Sequence, residues 1–185
     1  MDVRSRIRAD DILISGGAAW ADHLAVHAFL NGWCQALELY LPAPLQAAAG
    51  KPAQFWGGFG TSGGAANHYH ELFAKLRGVD GRDEILEAAR RGALLTNEAP
   101  SPGYAAMMRR NAKVAARCSD VLAYTFGAGE EPADGGTLTT WRMCKVARKV
   151  HVPLGVLAES VQPSRLAIAT PGAPSPQGRA RYRAG

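Results

Sequence analysis

Two glycine-rich runs, Ser15-Gly16-Gly17 and Gly135-Gly136-Thr137, carry the residue types best suited to holding an anion. Glycine lets a backbone approach a ligand closely, and a helix that starts just beyond it points free N–H groups and a partial positive charge at the same place. Phosphate is the natural guest. Thr137, Thr139 and Thr140 add hydroxyl groups at the start of the second helix. Arg109, Arg110 and Asn111 form a second polar group. These two arginines read either as solvated charges or as one fork aimed at phosphate, for which arginine geometry is suited. A third cluster is Asn67-His68-Tyr69-His70-Glu71. His68 and His70 are two apart, so on a helix they point to different sides and share no metal. Asn67 and His70 either line a pocket floor or belong to a plain amphipathic helix start with Asn67 as N-cap. Asp22 is either a helix-start acid or a ligand contact. Trp141 is either a core aromatic or a stacking surface. His23, His27 and His151 read as surface residues.

The elements that must position these groups alternate. Asp11–Ser15 is a short β-branched-rich run that reads as a buried parallel strand, followed by a helix that Asn31-Gly32 stops. Leu37–Leu41 is a second strand, ended by Pro42 and Pro44. Residues 46–66 read as a long Gly/Ala-rich loop, a length that is usually functional. Helices follow from Asn67 to Arg77 and from Arg82 to Arg91, then from Tyr104 to Arg117 after the break at Pro100–Gly103. A strand over Val121–Phe126 leads through the Gly127–Gly136 loop into a helix from Thr137 to about Lys149. A last strand spans Val152–Leu157, with Pro153 placing it at an edge or a strand start. Strands alternating with helices imply βαβ units and a mostly parallel sheet. In such sheets ligands bind beyond the carboxyl ends of the strands, where both glycine runs fall.

Composition sets outer bounds. Apolar residues make up 47% of the 185, enough for a real core. No run approaches the roughly 20 apolar residues needed to span a bilayer. The N-terminus has arginines but no apolar region behind them, which speaks against a secretory signal. Cys34, Cys118 and Cys144 are odd in number and lack CxxC spacing, which argues against a disulfide framework and a structural zinc site. Buried free thiols in a cytoplasmic protein fit better, and neither cofactor nor metal is called for. The net charge is +5, but Arg165, Arg179, Arg181 and Arg183 follow Ser160 with no acid among them, leaving about +1 for the body. Nucleic acid would therefore be bound only weakly, through a disordered tail over 160–185. Residues 1–11 form an arm and 12–159 the domain.

Ile12-Leu13-Ile14-Ser15-Gly16-Gly17-Ala18-Ala19-Trp20-Ala21-Asp22 resembles the strand–"SGGA-x-G-x-D"–helix element of the SLOG superfamily. That superfamily includes the DNA-processing protein A family, the LOG-type phosphoribohydrolases and the YpsA- and YspA-related families. Arg109-Arg110-Asn111, Cys118–Tyr124 and Gly135-Gly136-Thr137 are similar to its "RN … aDxviAF … GGT" half. The matches frame about residues 12–157, with 46–102 not matched closely. The resemblance implies a Rossmann-like three-layer αβα fold with a mostly parallel sheet, a homo-oligomer, and a nucleotide-derived ligand. By motif position its contacts are Gly16, Gly17, Asp22, Arg109, Asn111, Gly135, Gly136 and Thr137. Ser15, Asn67, His70 and Thr140 complete the candidate set.

Two departures qualify this. LOG-type enzymes carry a glutamate shortly after the second glycine motif, and the matching residue here is Thr140. Without it, N-glycosidic cleavage loses the group that would stabilise an oxocarbenium-like sugar or activate water. Asp22, Glu71 and Asp134 are the carboxylates that could substitute. The superfamily also begins with a strand and helix ahead of the SGGA strand, and here only eleven residues precede Ile12. The expectation is a sheet lacking its first βα unit, through truncation or an upstream start; a complete sheet with no unpaired interior edge would overturn it. The reading is thus a sensor or sequestering domain for a phosphate-bearing nucleotide-like molecule. A nucleotide N-glycosidic hydrolase or transferase is the alternative, and a DNA-associated module a further one.

Overall fold

Residues 2–133 and 135–156 are described by the computed structural model. Asp134 and the arginine tail lie outside them. The elements, in order, are α1 (Asp2–Arg6), β1 (Ile12–Ser15), a 3-10 turn (Trp20–Asp22), α2 (His23–Leu30), β2 (Ala36–Leu41), β3 (Leu45–Ala48), β4 (Lys51–Phe55), α3 (Ser62–Arg77), α4 (Gly81–Arg90), β5 (Leu94–Asn97), α5 (Ala105–Arg117), β6 (Asp120–Thr125), α6 (Gly135–Met143) and β7 (Arg148–Pro153).

The chain is α/β, with β1, β2 and β5 in one parallel sheet and β6 and β7 in another. β2 lies between β1 and β5, and its alternation explains its place. Leu37, Leu39 and Leu41 are buried with Val26 of α2 and with Ile85 and Ala88 of α4. On the opposite face Glu38 accepts from Arg117 of α5 at 2.9 Å. Helices therefore cover both faces, as a Rossmann-like arrangement requires. A second core joins the arm to the other sheet: Val3 and Ile7 pack with Ala28, Tyr124 and Val152. The Tyr124 hydroxyl donates to Asp2 at 2.7 Å, tying α1 to β6.

The structure corrects several sequence expectations. The stretch 46–66 is not one loop, because β3 and β4 form an antiparallel hairpin within it. α3 starts at Ser62, not Asn67, since Thr61 is the residue whose hydroxyl accepts from Gly64 N at 3.1 Å. β5 was hidden in the sequence: Leu94-Leu95-Thr96-Asn97 is short and lacks alternation. α6 ends at Met143, and β7 starts four residues before Val152, so Pro153 closes that strand instead of opening it. His23 is buried, not a surface residue, with Nε2 2.7 Å from a Glu84 carboxylate oxygen. Burial lowers its pKa against the pull of Glu84.

Among the described residues β1 pairs only with β2, and β6 only with β7. Ile12 and Leu122 are exposed on these two strands, and residues of both line one cavity. No helix among the described residues is long and apolar enough to cross a membrane.

Candidate functional site

Both glycine-rich ends open into that cavity, whose volume is about 1010 Å³. This is at the upper end of the roughly 300–1,000 Å³ typical of small-molecule sites. The first end is a tightly braced turn. The Gly17 N–H donates to Ser15 Oγ at 3.2 Å, and that hydroxyl donates to the Asp22 carbonyl at 3.1 Å. Gly17 has φ +60°, and a Cβ there would overlap Leu41 Cδ2 in the core. The Gly17 carbonyl accepts from His70 Nε2 at 3.1 Å. That bond makes Nε2 the protonated nitrogen of a neutral ring. Burial pushes the His70 pKa down to about 4, against the raising effect of the carbonyl. His70 is thus a support beneath the loop, and its Nδ1 is buried without a partner against Gly81.

Gly16 is needed for another reason. A Cβ there would overlap the guanidinium of Arg110, which lies across the strand end. Arg110 is only 8% exposed; among the described residues its charge is met by Asp22 Oδ2, at 3.2 Å, and its Nε has no partner. Asp22 itself is partly open to solvent. A buried guanidinium with an unspent donor calls for an acceptor.

The second end is built on α6. Gly135 has φ +72° and open space around its Cα, and Gly136 and Thr137 are exposed. Asn111 reaches this end, its Nδ2 lying 3.5 Å from where a Gly136 Cβ would stand. Consecutive residues of α5, Arg110 and Asn111, therefore touch the two glycine loops. The Thr139 and Thr140 hydroxyls donate to the Gly135 and Gly136 carbonyls at 3.1 and 2.9 Å, so they serve the helix itself.

Ser15, Gly16, Gly17, Asp22, His70, Asn111, Gly135, Gly136, Thr137 and Thr140 all line the cavity. Asn67, Arg109 and Glu71 do not. Asn67 grips the β4 backbone, accepting from Phe55 N at 2.8 Å and donating to Phe55 O at 2.9 Å. Arg109 turns away to Glu98, at 3.0 Å. Glu71 is exposed, 3.7 Å from Arg82. Arg110, not Arg109, is the arginine of the cavity. The signal was in the helix period: Ala106, Arg110, Asn111 and Ala115 form the buried stripe of α5, and Arg109 lies off it. Sequence reasoning also passed over Trp20, which lines the cavity. Trp141 is a buried residue of the cavity wall. Cys118 and Cys144 end up with their sulfurs 3.4 Å apart on the same wall. Among the described residues Asp22 and Asp120 are the carboxylates on the lining, and no group of three metal-ligating side chains occurs.

Fold and site together define an α/β protein with a cavity that runs along β6 and reaches both glycine-rich ends. No family model and no solved structure matches the chain. It is similar to the "Uncharacterized protein R261" of Acanthamoeba polyphaga mimivirus, with 30% identity over 145 residues, covering 78% of this chain and 72% of the viral protein. The chain belongs to the same family as that protein.

Proposed function

We propose that the cavity binds a phosphate-bearing, nucleotide-like small molecule, and that the protein acts as a sensor or sequestering domain. The observation that carries this reading is Arg110. A buried guanidinium at a strand end, whose Nε has no partner among the described residues and whose paired carboxylate is half open, has a donor to offer a ligand. A phosphate would supply the acceptors, with backbone N–H groups of α6 opposite and Asn111 between. Asp22 would then be the group that holds the guanidinium when no ligand is present.

Binding is favoured over N-glycosidic cleavage by the state of the polar groups. Thr140 is engaged with its own helix and Glu71 is remote. Hydrolase or transferase chemistry is the second reading, because a phosphate on Arg110 would release Asp22, a carboxylate of the cavity lining. Three cysteines without a disulfide, two of them within contact distance, favour a reducing cytoplasm. The SLOG resemblance favours a homo-oligomer.

The test is thermal denaturation against a panel of nucleotides and sugar phosphates, with product analysis of the same samples. A saturating ligand raises the midpoint by mass action, adding about 2.7 kcal/mol of stability at a hundred times its Kd. Released free base would move the assignment to the enzyme. No stabilisation by any phosphate compound would sink the reading.

A further inference from the structure

Trp20 has φ +65°, and it is the one non-glycine residue with positive φ among those described. A bulky side chain rarely adopts this left-handed conformation, because its Cβ crowds the following carbonyl oxygen. It stands where the SGGA-x-G-x-D motif has its next glycine, so the local backbone path suits glycine and the chain carries tryptophan there. Packing does not account for the choice. The indole touches Phe73, with ring centroids 5.4 Å apart, but remains 46% exposed. Burial therefore offsets only part of the strain.

Strained backbone tends to persist where a side chain must be held for a ligand. Trp20 lies on the cavity wall, five residues from Ser15 and two from Asp22. Two more exposed aromatic side chains, Tyr69 of α3 and Phe126 after β6, line the same cavity. Open aromatic faces near a cationic, donor-rich end match a molecule with a planar apolar part and an anionic part.

We infer that Trp20 is the stacking platform for the heteroaromatic base of a nucleotide whose phosphate lies at Arg110 and α6. This rests on the phosphate-cradle reading above and adds that a base is recognised as well as a phosphate. Stacking tolerates any base with a π-face, so Trp20 selects for an aromatic ring and leaves the choice among rings to other contacts.

The experiment measures binding of the four ribonucleoside 5′-monophosphates and of ribose 5-phosphate to the full chain, by calorimetry, in wild type, Trp20→Gly and Trp20→Phe. The wild type should bind at least one nucleotide about tenfold or more tighter than ribose 5-phosphate. Trp20→Gly should remove most of that advantage and leave ribose 5-phosphate unchanged. Its thermal midpoint should not fall, because glycine relieves the φ +65° strain. Trp20→Phe should restore most of the nucleotide preference. Equal binding of nucleotides and ribose 5-phosphate by the wild type would overturn the stacking role and leave the phosphate cradle standing. A loss of midpoint in Trp20→Gly, with both ligand types weakened alike, would make Trp20 structural. Failure of all five compounds to bind the wild type would remove the cradle and the platform together.

Discussion

The two glycine-rich ends look alike as sequence and differ in surroundings. At Gly16 and Gly17 the space a side chain would need is taken, by the Arg110 guanidinium and by Leu41. Among the described residues, and chain neighbours aside, a Cβ at Gly135 would meet nothing within 4 Å and one at Gly136 only Asn111. The first end is part of the core, with a serine, a histidine and an arginine wired into it. The second is an open helix start. One end of the cavity is therefore braced from within the core, and the other is open to solvent. On the proposed reading, preorganisation of that kind would lower the ordering cost of binding at the first end.

Substitutions can break this contrast, and the largest effect should come from Gly17→Ala. It combines positive φ with an overlap into a fully buried leucine. A loss of about 2–4 kcal/mol is expected, or a midpoint drop of roughly 5–10 °C by thermal denaturation. Gly135→Ala has the same left-handed backbone without the overlap, so about 1–2 kcal/mol is expected. Equal losses at both sites would mean the first end is not the packed one.

Next in size is Arg110→Met, which keeps most of the volume and removes the charge. Affinity for phosphate compounds should fall more than tenfold, measured by calorimetry, while the fold survives. Arg109→Met is the control: it is half exposed, its partner Glu98 also has Lys113 at 2.6 Å, and binding should stay within about twofold. The reverse ranking would return the role to Arg109.

The histidine beneath the first loop predicts a pH dependence. His70 titrates near 4 when folded and near 6.5 when unfolded. The unfolded chain therefore binds its proton first as pH drops. The contribution is whole above about 6.5 and declines from there toward 4, below which it changes no further. His23 shifts in the same direction. Denaturant titrations across this window should show the decline, and His70→Gln should flatten part of it. A slope unchanged by that substitution would place the titration elsewhere.

Gly136→Ala should have the smallest effect on stability, within about 0.5 kcal/mol, because its surroundings are open and helix propensity gains. Its value is in the split: weaker phosphate binding with an unchanged midpoint would mark the second end as the ligand-facing one.

Sequence by itself determined the α/β class, the two glycine ends, the order of most elements and the absence of an acid at Thr140. These are local matters: a strand ending in Gly-Gly ahead of a helix, or a residue type at a motif position, is written in neighbours along the chain. The hairpin of β3 and β4 and the strand β5 escaped, because Ala-rich and four-residue strands carry little periodicity and are strands only by virtue of their partners. Tertiary structure alone decided which polar residues meet. Arg109 and Arg110 are adjacent in sequence but about 100° apart on a helix, so one pairs with Glu98 and the other fills the space that Gly16 leaves. Asn67 and His70 lie on one helix, but one holds a strand edge and the other a loop carbonyl. Contacts across 88 residues, as between Asp22 and Arg110, depend on how sheets and helices stack, and no local pattern encodes that distance.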